Sequence, residues 1–197
     1  MRWLLLPLLL GACVAMPGTG PRTGFNAATE AAAFQRMRFV AEAVCLNETT
    51  RAGQDRAARR LGFPVRERDG GQTLYVNPGT LTFLRLGPAP VQVVQDAGGA
   101  DRRYGGGHGC SVGSPAVGLA AANKVAGDLL ATRLVEGDRL VSAPVGAGSN
   151  DARGVGLFFE RLSVTVPVAQ STIADAETGE GAAFVHPVVL IIHGPPR

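Results

Sequence analysis

The residues Leu157-Phe-Phe-Glu-Arg-Leu-Ser-Val-Thr-Val-Pro-Val168 alternate between apolar and polar side chains, and this alternation indicates the class of fold. Five apolar residues share one face of an extended chain, with Glu160 as the exception on that face: Phe158, Leu162, Val164, Val166 and Val168. Arg161, Ser163 and Thr165 lie on the other face, because successive side chains of a strand point in opposite directions. The pattern predicts a single half-buried strand with one face in solvent.

Further strands are predicted on both sides of this stretch. Short runs bounded by turn residues predict three strands of an antiparallel meander: Gln72–Val76, Leu81–Leu86 and Val91–Gln95. Leu140–Val145 is predicted as another short strand. Ala183–His193 is almost wholly apolar, which predicts a strand covered on both faces, with a bulge or an edge start at Pro187.

Three helices are predicted from capping residues and helical spacing. The first runs from about 27 to 46 behind Asn26, the second from Thr49 or Thr50 to about Leu61, and the third from Pro115 to about 134. The segment 97–114 is predicted as an irregular loop, with a short strand at Cys110–Val112. Short turns favour antiparallel pairing, so we expect an α+β fold of two layers, with helices on one face of the sheet.

Composition limits the classes of protein to which the chain can belong. Its 197 residues are 46% hydrophobic and 18% charged, which suits a globular domain and excludes a wholly disordered chain. The apolar runs are shorter than the ~18 residues that a spanning helix needs. The net charge is +3, and Lys124 is the single lysine among 19 basic residues.

The N-terminus carries an export signal. Arg2 precedes the apolar segment Trp3–Leu10, which has the length of a signal-peptide core. Leu10-Gly11-Ala12-Cys13 then resembles the lipobox of bacterial lipoproteins. The resemblance covers residues 1–13 and implies that Cys13 is acylated as the first mature residue, after removal of residues 1–12. An ordinary secretory signal cut after Ala15 is the alternative.

The resemblance also implies a location. Val14 stands where a signal for retention in the inner membrane would be Asp, which points to the outer membrane, facing the periplasm. Residues 13–26 are rich in Gly, Pro and Thr and are expected to form a flexible tether. The remaining residues, 27–197, are expected to form a single α+β domain.

The three cysteines are accounted for by this assignment. Acylation of Cys13, with its lipid (palmitate) chains, leaves Cys45 and Cys110 as a pair in an oxidising compartment. We therefore expect a Cys45–Cys110 disulfide bond. The alternative is that one of these two thiols is a free nucleophile.

Motifs for catalysis are weak. Gly105–Gly109 is rich in glycine but lacks the Gly-Lys-Ser/Thr of a phosphate loop, and His108, His186 and His193 have no metal-ligand spacing. We therefore predict no metal and no cofactor. Gly109-Cys-Ser-Val-Gly113 matches the spacing of a nucleophile elbow, which would make Ser111 a hydrolase nucleophile with His186 or His193 as base. However, a glycine loop precedes it, whereas an elbow follows a buried strand.

The sequence therefore favours a non-catalytic lipoprotein of the cell envelope that acts as an adaptor or binding module. Its partner would be an envelope protein or an anionic envelope component, near the arginines of the second helix: Arg51, Arg56, Arg59 and Arg60. Export makes nucleic acid an unexpected partner. A periplasmic serine hydrolase using Ser111 is the alternative.

The mass of the intact protein, purified from its native membrane, tests the anchor and the disulfide together. We expect the mass of residues 13–197 plus acyl chains, with two thiols that alkylate only after reduction. A soluble form that begins after Ala15 would contradict the lipoprotein assignment. A thiol that alkylates without reduction would contradict the disulfide.

Overall fold

The computed structural model of the chain describes residues 24–145, 154–174 and 181–194. The predicted signal peptide, Cys13 and the predicted tether up to residue 23 lie outside these residues. They remain predictions, as does the assignment of residues 27–197 to a single domain.

Two of the three helices begin as predicted because a side chain caps each of them. Helix α1 (Ala27–Val40) is capped by Asn26 and continues into a π-helical turn, Ala41–Leu46. Helix α2 (Arg51–Arg60) is capped by Thr50. Helix α3 (Leu119–Val135) begins later than predicted. The Ser114 hydroxyl accepts a hydrogen bond from the Ala116 N–H, and the Ser114 carbonyl accepts one from the Val117 N–H. Residues 114–117 therefore form a separate turn before the helix.

The strands form a mainly antiparallel sheet, which confirms the α+β class. They are β1 (Val65–Asp69), β2 (Gln72–Asn77), β3 (Thr82–Pro88), β4 (Gln92–Gln95), β5 (Asp101–Tyr104), β6 (His108–Gly113), β7 (Leu140–Val145), β8 (Gly156–Phe159), β9 (Leu162–Thr165), β10 (Val168–Ala174) and β11 (Gly181–His193). In the described residues the sheet order is β1-β2-β3-β6-β11-β9-β8-β7, with β10 on β11 and β4 paired to β5 alone. The short strand expected at Cys110–Val112 is confirmed, within the longer strand β6. Strands β1 and β5, and β10 beyond Val168, were not expected, so the segment 97–114 is not the irregular loop that was predicted.

The predicted meander is confirmed for β2 and β3, which are antiparallel neighbours, and is wrong for β4, because β3 to β6 form one long, bent hairpin. Pro88 pairs with His108 at the end of the β3–β6 ladder, and Gln92 pairs with Tyr104 at the start of the β4–β5 ladder. Between them the Ala89 N–H donates to the Gly107 carbonyl at 2.9 Å, which keeps the same register. The hairpin therefore bends at a corner of prolines and glycines without slipping.

A second long hairpin is bent in the same way. Strands β9 and β10 pair with β11 in one register, from His193 opposite Leu162 to Gly181 opposite Ala174. At its bend the Val188 N–H donates to the Pro167 carbonyl at 2.9 Å. The β6 ladder also ends at Val188, so Pro187 stands where β11 loses that neighbour, which confirms the expected edge start; the register shows no bulge. The expectation that residues 183–193 are covered on both faces is wrong for 183–187, since Ala183 and Val185 are exposed.

The prediction of a single strand over 157–168 is wrong. Strands β8 and β9 are antiparallel neighbours, with Leu157 opposite Val164, and the chain turns between them at residues 160–161. All four residues of β8 are buried. A strand buried on both faces has no polar alternation, so Glu160, the exception on the apolar face, was the one local sign of its end.

The two faces of the sheet are covered differently. The inner face packs against the helices, and its core includes Met37, Val44, Leu84, Val112, Leu129 and Ile191. The bent ends of the two hairpins lie over the outer face. We call β4–β5 the first ribbon, and β10 with residues 181–187 of β11 the second ribbon.

Hydrogen bonds and ring contacts hold both ribbons to the outer face. In the first ribbon, the Gln92 amide donates to the Thr165 hydroxyl at 3.0 Å and the Tyr104 hydroxyl donates to the Phe159 carbonyl at 2.8 Å. In the second, the His186 ring stacks on Phe83 with 5.3 Å between centroids. The fold therefore has helices on one face and ribbons on part of the other.

Gly105 is required at the corner of the first hairpin. Its φ is +88°, and a Cβ placed on it would overlap the Pro90 carbonyl oxygen. Gly137 has a similar φ of +87°, but nothing lies within 4 Å of its Cβ position. The two glycines thus separate the cost of the backbone conformation from the cost of the overlap.

We expect Gly105→Ala to destabilise the fold by at least about 3 kcal/mol, because the corner must open. Gly137→Ala is the control. It introduces only the strain of a left-handed conformation, so we expect it to lower the free energy of unfolding by about 1–2 kcal/mol. Urea unfolding of both variants gives the two values. Equal losses would show that the corner is not tightly packed.

Candidate functional site

His186 is part of the packing of the second ribbon. A carbonyl can only accept, so Nδ1–H donates to the Pro187 carbonyl at 3.1 Å, and Nε2 accepts from the Ser171 hydroxyl at 3.1 Å. The side chain is 1% exposed. Burial lowers its pKa, so the ring is neutral at pH 7. The second ribbon is held to the sheet through this ring.

The other two histidines point into the helix layer. The Nε2 atom of His193 donates to the Cys45 carbonyl at 2.6 Å. The Nε2 atom of His108 is hydrogen-bonded to the buried side chain of Gln54. Burial lowers the pKa of both rings. Each histidine therefore already has a partner from the surrounding structure.

The structure does not bring Ser111 to a histidine. Ser111 lies in β6 between Arg85 of β3 and Leu190 of β11. Among the hydrogen bonds of the described residues, none joins it to His186 or His193. The described part of the chain also holds no group of three or more His, Cys, Asp or Glu side chains placed to bind a metal ion.

The expected disulfide is confirmed. Cys45 of the π-helical turn is bonded to Cys110 of β6, with 5.3 Å between their Cα atoms. Both residues are fully buried in the core. The bond joins the helix layer to a central strand of the sheet.

Three of the four arginines singled out on helix α2 have partners within the molecule. Arg59 pairs with Asp55 at 2.5 Å, Arg60 with Glu48 at 3.4 Å, and the Arg51 guanidinium donates to the Thr73 hydroxyl at 3.3 Å. Arg56 is exposed. Three of these arginines are therefore held by neighbouring side chains, while all four lie on the surface.

Asp55 is the centre of these contacts. Its carboxylate accepts a hydrogen bond from the buried Tyr75 hydroxyl and pairs with Arg66 at 2.9 Å. Burial alone would raise the pKa of Asp55, but the hydrogen bonds from Tyr75, Arg66 and Arg59 outweigh it and lower the pKa to about 2. Strand β1 is attached to the sheet edge and to helix α2 through this cluster.

A groove of about 470 Å³ lies where the tip of the first ribbon reaches the far edge of the sheet. We call it the arginine groove. Its charged lining consists of Asp96, Arg102, Arg139, Glu160 and Arg161, and the edge strand contributes Leu140 and Val141. Three guanidinium groups thus converge against two carboxylates, which leaves an excess of one positive charge.

The charges of the groove are held to different degrees. Asp96 caps the ribbon tip by accepting from the N–H groups of Gly98 and Ala100, and the Arg102 guanidinium donates to it at 2.9 Å. These bonds, the one from Ala100 foremost, hold the pKa of Asp96 below its usual value. Arg139 pairs with Glu160 at 2.6 Å on the surface. Arg161 is exposed and has no ion pair among the described residues.

Sequence reasoning missed this groove because its residues come from three separate segments. Arg102 lay in a segment expected to be an irregular loop, and Arg161 was placed in the middle of a strand. Only the bend of the first hairpin brings the ribbon tip to the β8–β9 turn. Within the sequence, the adjacent arginines 102 and 103 were the single local indication of a positively charged site.

Comparison with models of protein families, with curated proteins and with solved structures found no match. None of the helices in the described ranges is long and apolar enough to cross a membrane.

Asp55→Asn tests the cluster under helix α2. A carboxylate whose pKa falls from 3.8 to about 2 on folding stabilises the fold by about 2 kcal/mol at pH 7. That contribution is present above pH ~4 and is lost as the pH falls through ~2. We therefore expect D55N to lose about 2 kcal/mol at pH 7, about half as much at pH 3, and nothing below pH ~2.

Urea unfolding across this pH range makes the measurement. Glu48→Gln is the control, because the Glu48–Arg60 pair is exposed and worth at most about 1 kcal/mol. A D55N deficit that does not change between pH 7 and pH 2 would contradict the assignment.

Proposed function

We propose that the protein is a non-catalytic lipoprotein of the cell envelope that binds an anionic envelope component in its arginine groove. An acylated Cys13 would hold it at the periplasmic face of the outer membrane. The observation that carries the binding part of this proposal is the convergence of Arg102, Arg139 and Arg161 on one groove.

The chemistry of the groove favours an anionic ligand. Guanidinium groups form paired hydrogen bonds with carboxylates and phosphates, and charged hydrogen bonds are stronger than neutral ones. Arg102 is held in place by Asp96, which reduces the entropy lost on binding. Arg161 is the guanidinium most available to a ligand, since it has no ion pair within the described residues.

The dimensions of the groove also fit a ligand. A volume of about 470 Å³ falls within the range of about 300–1,000 Å³ that is typical of small-molecule sites. A lipid headgroup, or a short acidic segment of an envelope polymer or protein, would fit this volume.

The Arg-rich helix α2 is a weaker candidate for the same role. Its arginines 51, 59 and 60 contact Thr73, Asp55 and Glu48. Arg102 and Arg139 of the groove are paired as well, so pairing alone does not separate the two sites. The groove is favoured because it is a concave site in which Arg161, without an ion pair among the described residues, lies beside them.

Binding of two soluble probes tests the proposal: glycerol 3-phosphate for phosphate and a muropeptide for carboxylate. The full-length protein is titrated in nonionic detergent at low salt by calorimetry. We expect saturable binding of at least one probe and about tenfold weaker binding by Arg161→Gln, because one charged hydrogen-bonding group is lost.

Arg56→Gln is the matched control, since it removes the same charge from an exposed position on helix α2. We expect it to leave binding unchanged. Binding of neither probe, or an equal loss in R56Q and R161Q, would contradict a site at the groove. For the anchor, Cys13→Ser should abolish acylation and release the protein from the membrane fraction.

A further inference from the structure

The outward faces of the two ribbons carry exposed apolar side chains. Val93 of the first ribbon is 50% exposed, and Val91, which directly precedes strand β4, is 52% exposed. Val168 and Val185 of the second ribbon are 63% and 73% exposed. Seven large hydrophobic side chains of the described residues are exposed, and these valines are four of them.

Strand alternation puts these side chains on one side of the molecule. In the first ribbon Gln92 and Tyr104 face the sheet, so Val93 and its cross-strand partner Arg103 face away from it. In the second ribbon Ser171 and His186 are buried against the sheet, so the intervening positions face outward. Both ribbons cover the same face, opposite the helices.

We propose that this ribbon face rests on the anionic surface of the bilayer that carries the anchor. The inference rests on the proposed function, because it takes acylation of Cys13 as the link to that bilayer. It goes beyond the groove by assigning a second contact, made by the outward residues of both ribbons.

The length of the tether brings this contact within reach. Twelve residues, 14–25, separate Cys13 from the start of helix α1 and its cap. Fully extended, twelve residues span at most about 40 Å, which exceeds the two layer spacings of about 10 Å that separate helix α1 from the ribbon face. The domain therefore stays close to the headgroups, and one of its faces must lie nearest to them.

The composition of the ribbon face suits an anionic lipid surface. Valines at exposed positions can enter the boundary between headgroups and acyl chains, and a neighbouring guanidinium can bind a phosphate. Arg103 stands directly across from Val93. Asp101 shares that outward face, but Arg85, whose guanidinium donates to the Gln170 carbonyl of the second ribbon in an exposed contact, adds a positive charge on the same side of the molecule.

A dye on a single introduced cysteine tests the docked face. The acylated full-length protein is reconstituted into vesicles of phosphatidylglycerol and phosphatidylethanolamine that contain a lipid with a quencher on its headgroup. Cys45 and Cys110 are bonded to each other, so they do not take the dye. We expect strong quenching of a dye at Val93→Cys and little at Ala52→Cys, an exposed position on helix α2 in the opposite layer.

Charge is tested on the same labelled protein. A basic residue near an anionic surface contributes about 1 kcal/mol, so adding Arg103→Gln should lower the ratio of docked to undocked protein about fivefold. Adding Arg56→Gln should leave the ratio unchanged. Replacing the anionic lipid by phosphatidylcholine should also reduce the quenching at V93C.

Equal quenching at V93C and A52C would overturn the docking proposal, and so would quenching that is the same in phosphatidylcholine. Fluorescence of the dye at V93C that changes with protein concentration, but is not quenched by the labelled lipid, would point to contact with a second copy of the chain. That result would also overturn the docking proposal. A protein that carries no acyl mass and does not float with vesicles would refute the proposed anchor instead. An acylated, floating protein with equal quenching refutes the docking alone.

Discussion

The architecture depends on two long hairpins that bend without changing register. If either hairpin slipped by one residue at its bend, the inward and outward side chains of its ribbon would exchange places. Tyr104 would then leave the Phe159 carbonyl, and His186 would leave Phe83. The Ala89–Gly107 and Val188–Pro167 hydrogen bonds prevent this, because they continue the ladders through the corners.

Glycines on strand β6 make room for what the bends bring back over the sheet. A Cβ on Gly113 would lie 2.7 Å from the ring of His186, and a Cβ on Gly109 would lie 2.7 Å from the Ala89 side chain. The same glycines limited the predicted strand to Cys110–Val112, since glycine is uncommon in strand interiors. The residues that hid the two ends of β6 in the sequence are therefore those that allow the ribbons to pack on it.

Local signals in the sequence were sufficient for parts of the fold. Asn26 and Thr50 cap helices α1 and α2 as expected, and the odd cysteine count led to the Cys45–Cys110 bond. Strand β1 was missed because its charges suggested a solvated segment, whereas Arg66 reaches the Tyr75–Asp55 pair. The arginine groove could not be found in this way, since no spacing along the chain links residues 102, 139 and 161.

The disulfide has a mechanical consequence when the chain is pulled from its two termini. Tension applied between the N-terminus and the C-terminus passes from helix α1 through Cys45 directly into Cys110, in the middle of the sheet. The 65-residue separation between the two cysteines, about 230 Å of contour, is closed off from that tension and cannot be drawn out. Strands β1 to β5, including the tip that lines the groove, would keep their loop closed while the rest of the molecule bears the load.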